Sequence, residues 1–265
     1  MQKLPISVFI ITKNEEDRVP VAINSVKDWV DEVIVVDSGS TDKTLQIAEK
    51  MGAKVLFNEW KGYGPQKVFS EKLCRNNWLL NIDADEEVST SLRDEIITEF
   101  QNNKPRFKGY KVVIKVVNRF NNKVGVFAPS HTQLRLYHKD YAGFKDSIVH
   151  DSVVFKENIY ERVYKFKNPV LHRSFRSYAH AIEKINNYSS MQAEDMVKRG
   201  RYPSTIRIIT EPFISFFKGY FIKRHCFLGA EGFIEGIIYS FARTLRLIKA
   251  RELWEMKKLK QGDGV

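Results

Sequence analysis

Apolar residues follow two rhythms along this chain, short unbroken runs in the first third and helical stripes in the last. The run ISVFII at 6–11 is continuous and β-branched, as in a central parallel strand covered on both faces. Polar TKNEE ends it, and Pro20 suits the first turn of a helix reaching about Trp29. VIVV at 33–36 predicts a second strand, and the following DSGSTD offers N-caps for a helix over 43–51. Gly52 is placed as the C-cap, and 54–57 reads as a third strand. After GYGP at 62–65 a helix spans 66–76, and WLLNI at 78–82 is the fourth strand.

Strand and helix alternate four times, which predicts an α/β fold, a Rossmann-like, mostly parallel sheet flanked by helices with right-handed crossovers. Ligands of such sheets bind beyond the carboxyl ends of the strands. Three of the four strands end there in polar loops, Thr12-Asn14-Glu15, Asp37-Ser38 and Asp83-Asp85, which converge on one crevice. A helix over 89–102 follows. Runs at 110–117, 132–138, 148–155 and 163–171 then predict a mixed or antiparallel extension of the same sheet, with a turn at Asn121-Asn122. From Tyr178 the pattern is helical. Phe213, Phe216, Phe217, Tyr220 and Phe221 stripe one helix, and Ile234, Ile237, Ile238, Phe241, Leu245 and Ile248 another. The division this implies is a catalytic domain over 1–175 and a helical, basic extension over 176–265.

Composition adds the charge distribution. The chain of 265 residues carries a net +11, and residues 198–260 alone hold fourteen Lys or Arg against five Asp or Glu. Two cysteines make neither a disulfide framework nor a zinc pattern, which fits a reducing, cytoplasmic compartment. No secretory leader is legible at the amino end, and no apolar stretch reaches the roughly 18–20 residues of a membrane span.

The densest chemistry is DADEE at 83–87, four carboxylates in five residues at the end of a buried strand. They repel one another, and a divalent magnesium or manganese ion would remove that cost. The plain alternative is a solvated acidic turn capping the helix that starts near Ser89. A nucleoside diphosphate in the crevice would meet Asp37 at its base or ribose and Asp83 at its ribose hydroxyls. Asp85 would hold the metal bridging the phosphates, and Lys67 would add a point charge. Neither GxGxxG after the first strand nor GxxxxGK[ST] is present, which argues against a dinucleotide fold and excludes a P-loop.

Together ISVFIITKNEE, VIVVDSGSTDKT and NIDADEE resemble the family 2 glycosyltransferases, nucleotide-sugar enzymes of the GT-A fold. The resemblance implies that Asp83-Ala84-Asp85 is the DXD motif, its first Asp toward ribose and its last toward the metal. It implies too that the loops of Thr12, Asn14, Glu15 and Asp37 receive the nucleoside. GYGPQK, HDSVV and the late GFIEGIIYSFARTLRLIKARELWE resemble the small branch that includes lipopolysaccharide core β-glucosyltransferases. That implies inverting transfer of a hexose, glucose from UDP-glucose, to a sugar of a glycolipid.

An inverting transfer needs a base for the acceptor hydroxyl. No plain ED follows the DXD, and Asp151 in His150-Asp151 takes its place, with Asp146 and Asp140 in reserve. His172 ends a strand where some relatives carry a metal-binding His. In the tail, basic residues flank apolar stripes, which suits an anionic membrane surface on the cytoplasmic face rather than nucleic acid. The stripes would otherwise pack on the sheet or form a homodimer. A nucleotidyltransferase and a non-catalytic membrane-surface adaptor are the competing functions.

Overall fold

The computed structural model describes residues 3–101, 105–118, 122–125, 128–147, 152–156 and 163–262. Packing divides the chain into two units, residues 1–117 with 130–174, and residues 118–129 with 175–265.

The first unit runs β1 (Leu4–Thr12), α1 (Val19–Asn24), β2 (Val30–Asp37), α2 (Thr44–Lys50), β3 (Lys54–Phe57), α3 (Tyr63–Leu73) and β4 (Trp78–Asn81). It continues with β5 (Glu86–Val88), α4 (Thr90–Glu99), β6 (Gly109–Val116), β7 (Ser130–His138), β8 (Ala142–Phe144), β9 (Val153–Phe155) and β10 (Val163–His172). Eight strands form one sheet in the order β3-β2-β1-β4-β7-β6-β10-β5. The first four are parallel neighbours. β7 runs antiparallel to both β4 and β6, β10 is parallel to β6, and β5 closes the edge antiparallel to β10.

Period-two alternation sends the strand residues into two cores. Ile6, Val8 and Ile10 join Val19, Ile23, Leu92 and Ile96 on the side covered by α1 and α4. Phe9, Ile34, Val36 and Leu79 join Cys74, Tyr137 and Phe144 on the side of α3. A strand buried on both faces has no polar position to spare, which is why these runs read as unbroken apolar stretches.

The predicted parallel half and mixed extension are both present, with local differences. α1 stops at Asn24 because Ser25 Oγ donates to the Ala22 carbonyl and Trp29 Nε1 takes the Ser25 carbonyl. α3 begins at Tyr63, ahead of Pro65, since a first-turn proline lacks only an N–H that has no helical partner. β8 and β9 form a separate two-stranded sheet, whereas 148–155 was expected to extend the main one. Residues 148–151 and Asn121 lie outside the described residues.

Gly64 is held against the segment following β8. A Cβ there would stand 2.4 Å from the Ser147 carbonyl oxygen and 2.5 Å from that of Lys145, and the Gly64 N–H donates to Ser147 O. Gly64→Ala should therefore destabilise the protein by about 1–3 kcal/mol in urea unfolding. An unchanged midpoint would mean that this approach is not a constraint.

The second unit holds α5 (Tyr178–Lys198), α6 (Thr205–Phe217), a π-helical turn at Lys218–Ile222, a short 3-10 turn at His225–Leu228, and α7 (Gly229–Gly262). Ser177 and Ser204 cap α5 and α6 through their hydroxyls. Lys249 on α7 donates to the Asn186 carbonyl and to Ser190 Oγ, tying α7 to α5. The expected aromatic stripe is split. Phe216 and Tyr220 stack on each other and meet Phe233 of α7, whereas Phe213, Phe217 and Phe221 are exposed. Among the described residues no helix is long and apolar enough to cross a membrane.

Candidate functional site

The loops after β1 and β2 are laced together before any ligand arrives. Asn14 adopts a left-handed backbone at φ 56, which asparagine tolerates better than most residues. Its N–H donates to Ser40 Oγ at 2.8 Å, and its side-chain oxygen accepts from Thr41 N at 2.8 Å. Glu15 N–H donates to Thr44 Oγ1 at 2.7 Å. Asp37 is buried and accepts four hydrogen bonds, from Thr12 Oγ1 at 3.0 Å, Gly39 N at 2.7 Å, Ser40 N at 2.8 Å and Ser40 Oγ. In this arrangement its oxygens shape the loop that the sequence expects to receive base or ribose. Phe57, exposed at the carboxyl end of β3, adds an aromatic ring beside Gly39.

The acidic run does not stand as a cluster of bare carboxylates. Asp83 Oδ1 lies 2.9 Å from Lys67 Nζ, and its Oδ2 lies 3.1 Å from Arg135. Glu86 Oε1 lies 2.8 Å from the same Arg135, and Glu87 pairs with Arg173 at 2.6 Å. Asp85 Oδ2 faces His172 Nε2 at 3.3 Å and Arg18 at 3.5 Å. The repulsion that seemed to demand a metal is thus offset, carboxylate by carboxylate, by the protein's own cations. Ala84 is buried between the two aspartates and turns them to different neighbours.

β5 makes this possible, and its three residues went unseen in the sequence. It pairs with β10 so that His172 sits opposite Glu86 and Leu171 opposite Glu87. The Asp85 carbonyl accepts from Arg173 N–H at 2.8 Å, which fixes the backbone at the motif. His172 Nδ1 and Ser174 Oγ are 3.1 Å apart, so the ring is oriented from behind while Nε2 faces Asp85.

The electrostatics follow from burial and these partners. Burial alone would raise the Asp83 carboxyl, but Lys67 and Arg135 overcome it and hold it well below the usual carboxylate range. Burial raises the Glu86 carboxyl and the Asp83 charge adds to the rise, against the pull of Arg135. His172 is lowered by burial, yet its hydrogen bond to Asp85 and the surrounding carboxylates carry it above the ordinary imidazole value.

Of the predicted residues, Thr12, Asn14, Glu15 and Asp37 share one loop pair, and Lys67, Asp83, Ala84, Asp85 and His172 share the carboxyl end of β4 and the β5–β10 edge. Asp151 lies outside the described residues. Asp146 is exposed in the segment beside Gly64. Asp140 follows His138, which pairs with Trp78 at the amino end of β4, the end opposite Asp83. Three arginines were missed. Arg18 grips both Glu15 oxygens at 2.7 Å and also donates to the Arg173 carbonyl. Arg135 was legible in principle, as a lone cation between Leu134 and Leu136 in a strand, because a buried guanidinium requires anionic partners. Arg173 carries no such signal.

Polar loops and paired aspartates thus meet beyond the strand ends of an open α/β sheet, where such folds bind their ligands. Residues 7–162 match the family described as Glycosyl transferase family 2, and the chain belongs to that family and has its GT-A type of fold. A protein described as an uncharacterized glycosyltransferase of Rickettsia bellii (strain RML369-C) is 47% identical over 254 residues, 94% of this chain and 86% of the relative. The lipopolysaccharide core biosynthesis glycosyltransferase LpsC of Rhizobium meliloti (strain 1021) is 29% identical over 270 residues, 95% of this chain and 94% of the relative. Among solved structures, a glucosyl-3-phosphoglycerate synthase from Mycobacterium tuberculosis aligns with a TM-score of 0.47 and 18% identity, covering 76% of this chain and 82% of that one.

Proposed function

We propose that this glycosyltransferase moves a hexose, glucose from UDP-glucose, with inversion onto a sugar of a glycolipid such as the lipopolysaccharide inner core. The observation that carries the reading is the pair of differently supported aspartates, Asp83 held by Lys67 and Arg135, and Asp85 facing His172. The name of the Rhizobium relative supports the class of acceptor. A place on the inner face of the cell membrane would follow from such an acceptor.

A divalent ion fits these residues. No group of three His, Cys, Asp or Glu among the described residues is placed to hold one. Asp85 and His172 supply two donors, and magnesium or manganese commonly takes one or two protein ligands and completes its shell with phosphates and water. When bound, the ion neutralises charge on the departing diphosphate. Asp83, kept ionised by its two cations, accepts from the ribose hydroxyls, and the laced loops of Asn14 and Asp37 cradle the nucleoside. Phe57 offers the base a ring to lie against. Asp151 takes the proton of the acceptor hydroxyl as the new C–O bond forms and the C1–O bond to the diphosphate breaks.

The reading is tested by thermal shift with manganese and UDP-glucose, UDP-galactose, UDP-N-acetylglucosamine or GDP-mannose. UDP-glucose should raise the melting temperature most, and a shift by GDP-mannose alone would overturn the donor. Asp151→Asn should lower kcat by about 10² or more while donor affinity stays unchanged. Near-normal turnover would pass the role to Asp146.

A further inference from the structure

Apart from Phe216, which packs on α7, helix α6 buries polar groups and exposes apolar ones. Its side toward α7 carries Glu211 and Ser215, both buried, and Ser240 of α7 donates to the Pro212 carbonyl there. Its outer side carries Ile206, Ile209, Phe213, Ile214 and Phe217, between 57% and 76% exposed. A helix in water places these the other way round. The polarity is that of an element whose surroundings are apolar on the outside.

The seam beside this face holds too much positive charge. Glu211 is met by Arg243 at 3.2 Å, Arg207 at 4.0 Å and Arg246 at 4.0 Å, and Ser215 Oγ also donates to it. One carboxylate thus faces three guanidiniums. Burial and the neighbouring Arg243 push the Arg246 guanidinium below its ordinary value, against the pull of Glu211. Arg207 is half exposed, so the cluster opens to the outside. Planar guanidiniums bind phosphate oxygens in pairs, and this spacing leaves two without a full counter-charge.

We propose that the α6–α7 seam binds the phosphate of an anionic membrane lipid, with Arg207, Arg243 and Arg246 on the phosphate and the outer face of α6 among the acyl chains. This deepens the membrane reading above and rests on it. It also redraws the surface, because Arg243 and Arg246 belong to the seam, and the face that enters the lipid is that of Ile206, Phe213 and Phe217. Since no described helix can span a bilayer, the face lies in the interface.

Co-sedimentation with phosphatidylcholine vesicles, with and without phosphatidylglycerol, tests it in the absence of donor and acceptor. Arg207→Gln should weaken partitioning onto phosphatidylglycerol vesicles about fivefold, the worth of one basic residue at an anionic surface. Glu211→Gln removes the competing anion and should strengthen it. Ile206→Ser with Phe213→Ser should abolish binding to both kinds of vesicle. If neither Arg207→Gln nor Glu211→Gln changes partitioning, the phosphate site is wrong. Release by inorganic phosphate together with indifference to Ile206→Ser and Phe213→Ser would make it a soluble-anion site and overturn the lipid. A stable dimer that ignores all vesicles would assign the face to a second copy. Each result leaves the UDP-sugar thermal shift untouched, so loss of this proposal and loss of the transferase reading are told apart.

Discussion

Replacing Asp85 with alanine should cut turnover about a thousandfold, several kcal/mol of lost charge stabilisation, and remove the metal-dependent part of UDP binding. The fold should survive. Arg18 keeps both oxygens of Glu15 and the Arg173 carbonyl, and the Arg173 N–H still has the backbone of residue 85. His172 loses its nearest carboxylate but keeps Ser174. Asp83→Ala is the contrast, since it should weaken UDP binding with or without manganese. Calorimetric titration of UDP in manganese and in EDTA separates the two. Metal-dependent binding that persists in Asp85→Ala would dismiss the DXD assignment.

Arg135→Met should cost about 3–5 kcal/mol of stability, the usual penalty for removing one partner of a buried charged network. The side chain is almost wholly buried and joins Asn81, Asp83 and Glu86. Asp83 would retain Lys67, but Glu86 would lose its cation. Its carboxyl, already raised by burial and by Asp83, would rise further and hold a proton in the folded state. A folded state that binds more protons than the unfolded one loses stability as pH rises. The deficit should therefore be smallest near the ordinary glutamate value of 4.5 and grow toward neutrality. Adding Glu86→Gln should recover part of it. A loss below about 1 kcal/mol at neutral pH would show that the network carries little weight.

In the parallel half β1, β2 and β4 were legible because their apolar runs are buried on both faces, so each appears as an unbroken run between turn residues. The loops at their carboxyl ends were legible for the same reason, as the polar stretches where the runs stop. β5 was not. Three residues are too few to show a period, and Glu86 and Glu87 belong to it because Arg135 and Arg173, far along the chain, neutralise them. The split of the aromatic stripe on α6 was also hidden. Helical spacing gives a face but not its neighbour, and Phe216 turns inward only because Gly236 of α7 leaves room for its ring. Arg18 escaped notice because its partners lie in three separate segments.

The pairing of β5 with β10 also orders events in time. Asp85 and His172 are 87 positions apart, and among the described residues β10 is the one strand beside β5 in the sheet. A chain emerging from the ribosome can assemble β1 to β4 from near neighbours, whereas the acidic edge must wait for a segment made much later. Loops of that length close slowly, and contacts of such separation belong to the late side of folding. Until β10 arrives, Glu86 and Glu87 hold an open strand edge with like charges on it, which discourages another chain from adding to that edge. The same carboxylates that later pair with Arg135 and Arg173 thus guard the unfinished sheet against self-association.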